Sequence, residues 1–410
     1  MGSGSQIPSA GPTRSRGPAA RGTVRTPRLA AAAALCLCVA AAVGGCGGHS
    51  RRERARTGTL SIYTSLPFDG PYAADARSIY DAEQLALTQA GGVVDGFKVV
   101  LRRRDDASSA TGQPDPALVA ENARIAAADP STIAYIGELA PGSSRASSPI
   151  LSAAGILQVS PGDTATNVTG ATFARVVPTA AEEAVAELVA MQKLGVKRLY
   201  LLKDRSTYGT DIATAALSNA ASYGIVVVNL RRRYLGPDTR PLLRAIKRLK
   251  AGGLLYAGEP GDGVAAFWNA LSATDARIKK FASAALTDAA SWDLTTPAAR
   301  YNTFLSAPGL PSRALPRAGS QFVADFMARY GSQWERGIFG YVAMSGVLDA
   351  LYGLGPRAKD RREKLVTAFL TTKSLPSVLG PYSIVDGQTT FQSYFFIRYP
   401  RSGPPVPYIP

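Results

Sequence analysis

The chain reads as an α/β protein of two lobes with mostly parallel sheets joined by a hinge. Short β-rich runs alternate with helical stretches from Thr59 onward, and the same rhythm restarts after a long helix that opens at Pro178. Such alternation is the mark of βαβ units and a largely parallel sheet. The composition supports large buried cores, with 46% hydrophobic residues, 19% charged residues and a mean hydropathy of +0.01. A length of 410 residues exceeds what one small core organises and allows two or three units, with two lobes the starting expectation.

The first 45 residues stand apart from this pattern. They hold five arginines and no acid, followed by an uncharged apolar run of 15 residues from 29 to 43. This is the layout of a secretory signal, and the run falls short of the roughly 20 residues of a membrane span. It ends in Val43-Gly44-Gly45-Cys46, which resembles a bacterial lipoprotein-processing site, with Cys46 the residue to be lipidated. Cys36 and Cys38 lie inside the apolar run and leave with it, so no disulfide is expected in the body. Residues 1–45 are thus expected as signal peptide and 46–57 as a flexible tether. Arg51-Arg52-Glu53-Arg54-Ala55-Arg56 within it suits an anionic membrane surface or a solvated linker.

In the body, strands are expected at 59–64, 97–101, 133–136 and 156–159, with helices at 76–89, 117–128 and 144–154 between them. After the helix over 178–194 the pattern continues with strands at 198–202, 225–230, 254–257 and 280–284, and helices at 210–223, 241–249 and 263–273. Pro297, Pro308, Pro311 and Pro316 mark 285–320 as a hinge crossing rather than a strand. Helices at 321–330 and 337–352 follow, and a final β-rich part, 382–385 and 394–399, flanks the turn Asp386-Gly387-Gln388. The expected organisation is a first lobe over 58–178 with a return segment at 310–375, a second lobe over 179–304 with a C-terminal segment at 376–400, and a tail at 401–410.

The residue inventory excludes several chemistries. His49, the only histidine, lies in the tether, so no histidine-based triad or histidine-ligated metal site is expected in the body. Asp105-Asp106 follows a strand, where adjacent side chains point opposite ways, and reads as a strand-end turn rather than a catalytic dyad. No phosphate-loop or dinucleotide spacing opens a helix, and Gly258 to Gly263 lacks both. Although the net charge is +16, Arg102-Arg103-Arg104 and Arg231-Arg232-Arg233 follow apolar runs without aromatic interleaving, so nucleic-acid binding is not expected. What remains at the strand ends is small and polar: Gly142-Ser143-Ser144, Ser160 to Thr164, and Ser206-Thr207-Tyr208-Gly209. Loops of this kind let backbone N–H groups face an anionic ligand group, and they also serve as ordinary helix caps. No catalysis, cofactor or metal is expected.

The order of motifs resembles the leucine/isoleucine/valine-binding proteins, the type I periplasmic solute-binding proteins of branched-chain amino-acid ABC transporters. It is carried by Gly70-Pro71-Tyr72-Ala73, Ala90 to Gly96, Asp105-Asp106, Gly142-Ser143-Ser144, Ala154 through Ser160-Pro161 to Thr164, Phe173-Ala174-Arg175, Tyr208-Gly209 and Leu379-Gly380-Pro381-Tyr382. The resemblance implies two Rossmann-like lobes closing on a ligand as a Venus-flytrap clamp. It places the carboxylate-binding loop on Pro141 with Gly142, Ser143 and Ser144, the next loop on Gly162 and Thr164, and a second-lobe tyrosine on Tyr208. Where the family has a lid aromatic this chain has Glu259. The acid that receives the ligand ammonium falls near Ala284-Ala285, with Asp288 the nearest replacement. The expected protein is a monomeric, extracytoplasmic, lipid-anchored binding protein for an amino-acid-like or carboxylate-bearing solute. Its expected partner is an ABC-transporter permease; a sensor partner, or a degenerate clamp serving as an envelope interaction module, are the alternatives.

Overall fold

The structure is a computed structural model that describes residues 58–410 apart from 231–233, 237, 288–291, 293, 332–333 and 356–359. The first lobe begins with β1 (Thr59–Leu66), α1 (Ala73–Gln89), β2 (Val93–Val94), β3 (Phe97–Asp105), α2 (Pro116–Ala128), β4 (Thr132–Ile136), α3 (Ser144–Ala153), β5 (Leu157–Ser160) and β6 (Phe173–Arg175). The second contains α4 (Ala180–Lys193), β7 (Arg198–Lys203), α5 (Thr207–Asn219), β8 (Val226–Val227), α6 (Arg240–Arg248), β9 (Gly253–Ala257), α7 (Asp262–Thr274), β10 (Lys279–Ala282), α8 (Pro297–Arg300) and β11 (Thr303–Pro308). The chain then returns to the first lobe as α9 (Arg317–Tyr330), α10 (Trp334–Gly353) and α11 (Arg361–Leu370), with the hairpin β12 (Ile384–Val385) and β13 (Gln388–Thr389). It ends in the second lobe with β14 (Tyr394–Tyr399) and β15 (Val406–Tyr408).

Both sheets share one plan. The first has the order β2-β3-β1-β4-β5-β6 and the second β15-β14-β11-β10-β9-β7-β8. The five strands β3-β1-β4-β5-β6 run parallel, as do β8-β7-β9-β10-β11, and the remaining edges are antiparallel. In each sheet the order reverses beside its first strand, between β1 and β4 and between β7 and β9. Ligands of open α/β sheets bind beyond the carboxyl ends of strands at such a reversal.

Period-two alternation explains the cores. Leu199 and Leu201 pack into one buried cluster of the second lobe while Tyr200 and Leu202 pack into the other, on the opposite sheet face. In the first lobe Ile62, Ile136 and Val159 pack with Phe339 and Phe369 from the returning helices. Helix starts are encoded locally. Thr179 and Glu182 form a reciprocal capping box on α4, with the Thr179 N–H donating to Glu182 Oε2 at 2.6 Å. Asp115 accepts from the Ala117 N–H ahead of α2, whose first residue is proline.

Four expectations change. Residues 303–308 form β11, between β10 and β14, because Pro308 sits at the strand's end and Pro297 opens α8, leaving the ladder clear of proline. The expected strand over 225–230 is regular only at Val226–Val227; beyond it the Asn229 side chain replaces the ladder, accepting from the Leu201 N–H at 2.8 Å and donating to its carbonyl at 2.7 Å. The segment 376–400 divides: Val378, Leu379, Tyr382 and Ile384 belong to the first-lobe core, and only β14 joins the second sheet. The tail over 401–410 adds β15 to that sheet through pairing of Val406 with Arg398 and Tyr408 with Phe396. Helix α11, absent from the sequence reading, buries Leu365 and Phe369.

Candidate functional site

The loops at the two sheet reversals meet. After β7, Asp204 turns back on its own loop: its Oδ1 accepts from the Ser206 N–H at 3.0 Å and from the Ser206 hydroxyl at 2.6 Å, while Oδ2 accepts from the Glu259 N–H at 2.7 Å. Gly258 makes this possible, because a Cβ there would lie 2.7 Å from the Asp204 carboxyl carbon. The Tyr256 hydroxyl donates to the Glu259 carbonyl at 3.0 Å, fixing the loop that presents the Glu259 side chain. From the first lobe, Tyr72 in the turn after β1 donates its hydroxyl to Glu259 Oε1 at 3.2 Å. Burial, and then the charge of Asp204, raise the Glu259 carboxyl above its usual pKa. Arg336, at the start of α10, pairs with Asp75 at 3.5 Å and reaches toward the Ala284 carbonyl of the second lobe. A further bridge runs from the Thr166 N–H to Asp211 Oδ2 at 2.8 Å.

The first-lobe wall is built on Asp163. Its Oδ1 accepts from the N–H of Gly142 at 2.6 Å and of Ala165 at 3.0 Å, and its Oδ2 from the N–H of Ser144 at 2.9 Å. Beneath it the guanidinium of Arg175, fully buried, donates to the main-chain carbonyls of Asp163, Ala165 and Val168. Leu139 lies against Gly162, where a side chain would collide with its carbonyl. Thr164 Oγ1 is buried and has no hydrogen-bond partner.

A buried acid pair underlies the loops of each lobe. Asp106 and Glu138 lie beside one another, with Ser65 donating to Asp106 at 3.0 Å and the Tyr135 hydroxyl to Glu138 at 2.9 Å. Burial raises both carboxyls, Asp106 to about 6 and Glu138 well above its usual range. In the second lobe Glu183 accepts from the Tyr208 hydroxyl at 2.6 Å, the Ala284 N–H at 2.7 Å and the Ser306 hydroxyl at 2.5 Å, with Glu187 beside it. Burial raises these two as well.

The expected site residues therefore have different fates. Glu259 bonds directly across the lobes. Gly142 and Ser144, expected to offer their amides to a ligand, give them to Asp163, and Ser144 Oγ accepts from the Glu138 N–H. Tyr208 is 4% exposed and turns its hydroxyl inward to Glu183, because α4 brings a carboxylate beneath it. Ser143 is half-buried at the start of α3, Gly162 packs on Leu139, and Thr164 keeps a free hydroxyl. Asp288 and Cys46 lie outside the described residues. Sequence reasoning missed Asp163, which stood unremarked in the Ser160–Thr164 loop, and Asp204 and Arg336, which no motif marks. Tyr72 was visible only as part of Gly70-Pro71-Tyr72-Ala73.

A cavity of about 310 Å³ lies at the hinge edge between the lobes, lined by Thr287, Leu310, Arg336, Leu379, Phe395 and Pro407 among others. A larger one, about 440 Å³, lies at the opposite end of the first sheet beside Thr132 and Arg362, away from the strand carboxyl ends, and is not the candidate. Among the described residues no group of three His, Cys, Asp or Glu side chains could hold a metal ion, and no helix is long and apolar enough to cross a membrane.

Two α/β lobes meeting at their sheet reversals define a ligand clamp, and comparison with known proteins agrees. Residues 62–404 match the periplasmic binding protein family, and the chain belongs to it. A Leu/Ile/Val-binding protein of Rhizobium johnstonii is 26% identical over 351 residues, covering 83% of this chain and 91% of that protein. Among solved structures, a leucine-binding protein of Thermotoga maritima superposes with a TM-score of 0.71 at 19% identity, over 86% of this chain and 99% of that one. A solute-binding protein of an ABC transporter from R. palustris, in complex with benzoate, gives 0.69 at 19% identity, over 85% and 95%. The fold is the type I periplasmic-binding-protein fold, and the family consists in general of non-enzymatic, extracytoplasmic solute-binding proteins.

Proposed function

We propose that this chain is an extracytoplasmic receptor, anchored through a lipidated Cys46, that captures a small amino-acid-like solute between its lobes and presents it to the permease of an ABC transporter. The observation that carries this reading is the Tyr72–Glu259 hydrogen bond joining the two sheet reversals. A ligand there would touch both lobes, so its binding would couple to closure. Tyr72, Thr164, Glu259 and Arg336 form the proposed polar lining, with Gly142, Ser143, Ser144, Gly162 and Tyr208 behind it and Asp288 as a further candidate. The leucine- and benzoate-binding relatives support a solute of that size.

Thermal-shift measurements with amino acids, amides, amines and short acids test the reading. A ligand at 100 times its Kd stabilises by about 2.7 kcal/mol, and small-angle scattering should report compaction with the same compound. Absence of any shift across the panel overturns the proposal. Palmitate labelling lost in Cys46→Ser supports the anchor, and labelling retained in that variant refutes it.

A further inference from the structure

We propose that Asp163 is a specificity-determining residue: its carboxylate occupies the anion seat at the start of α3, so the clamp takes solutes that present an amide, hydroxyl or ammonium group there rather than a carboxylate. The inference rests on reading the cleft as the ligand site.

A helix N-terminus flanked by small residues is a ready receptor for an anion, because its first N–H groups lack intrahelical partners and the helix dipole favours negative charge. Here α3 receives no side-chain cap from Ser143, the residue that precedes it. The cap comes instead from the loop after β5. The two oxygens of Asp163 accept from three N–H groups, those of Gly142, Ser144 and Ala165. Asp163 is held in place as well as bonded: its own N–H donates to the Glu138 carbonyl at 3.1 Å and to Ser160 Oγ at 2.8 Å, and Arg175 grips its carbonyl at 2.6 Å. Asp163 is fully buried. A ligand carboxylate arriving at these amides would meet a like charge already in hydrogen-bond contact with them, in a site where water screens little. Of the proposed lining, the Tyr72–Glu259 pair suits a neutral or cationic partner, the Thr164 hydroxyl serves either a donor or an acceptor, and the Arg336 guanidinium is already paired with Asp75.

The test uses matched pairs, leucine with leucinamide and benzoate with benzamide, on the full chain, with thermal shift and calorimetry as readouts. Wild type should respond to the amide member of a pair and not to its acid. Asp163→Ala empties the seat, and formate alone should then stabilise it while leaving wild type unchanged. If Asp163→Ala does not fold, Asp163→Asn keeps an acceptor oxygen in place without the charge, and affinity for the acids should rise there at least about tenfold over wild type. Stabilisation of wild type by leucine or benzoate as strong as by their amides overturns the inference and leaves the binding function standing. Formate stabilising Asp163→Ala while no compound stabilises wild type upholds the seat and removes the solute-binding reading. Folded Asp163→Ala indifferent to formate, or Asp163→Asn with no gain for acids, also overturns it.

Discussion

Each lobe ties its strand-end loops together through a buried carboxylate, but the two are wired differently. In the first lobe Asp163 comes from a loop and accepts only main-chain N–H groups, and the acid pair beneath, Asp106 and Glu138, accepts from the Ser65 and Tyr135 hydroxyls. In the second, Glu183 comes from a helix and accepts two hydroxyls and one N–H, with Ser306 standing between it and Glu187. The first arrangement joins neighbouring loops of one wall. The second joins β11, α5 and the turn after β10 to the helix that opens the lobe, so one side chain holds elements far apart in sequence. A hub of that kind concentrates the consequence of its loss.

The largest expected effect is therefore at Glu183. Glu183→Ala leaves the Tyr208 hydroxyl and the buried Ala284 N–H without their acceptor, and Ser306 with only its longer bonds to Ala282 and Glu187, and should destabilise the chain by about 3–5 kcal/mol in urea unfolding. A loss under about 1 kcal/mol would mean that the second lobe is not organised around this residue.

Both lobes carry buried acids with raised carboxyls, and in the first lobe Asp106 moves from its usual 3.8 to about 6. A carboxyl raised in the folded state holds its proton where the unfolded chain has released it, so its stabilising contribution is present below about pH 4 and is lost as pH rises through about 6. Asp106→Asn should remove roughly 1–3 kcal/mol of the fall in stability between pH 4 and 7. An unchanged slope would show that the Asp106–Glu138 pair does not titrate as its burial implies.

The smallest effect is expected between the lobes. Tyr72→Phe deletes the hydrogen bond to Glu259 and should cost about 0.5–1.5 kcal/mol. Its signature is a larger radius of gyration in solution with the melting behaviour of each lobe nearly unchanged. Equal radii for variant and wild type would remove this contact from lobe closure.

Most of the parallel architecture was legible from residues alone, because strands buried on both faces read as apolar runs and helices carry their own start signals. Thr132–Ile136 and Gly253–Ala257 are buried at every position, and the Thr179-to-Glu182 spacing announces α4. What escaped was decided by distant pairing. β11 hides in a proline-rich stretch and is a strand because β10 and β14 accept it on either side. The division of 376–400 between lobes depends on which core receives Leu379 and Phe396.

The candidate site divides along the same line. The strand-end loops that hold Gly142, Gly162, Tyr208 and Glu259 could be located by position, since each follows an apolar run and carries small or polar residues. Who bonds to whom in those loops could not. Asp163 reaches back over 19 residues to the Ser144 N–H, Glu183 spans 123 residues to Ser306, and Tyr72 meets Glu259 across 187. Periodicity and capping are local properties of a chain, so the sequence by itself determined most of the elements, their order and the two-lobed plan. The pairing of buried polar groups depends on which loops the folded lobes bring together, and only the tertiary structure decided that the amides at the start of α3 belong to Asp163.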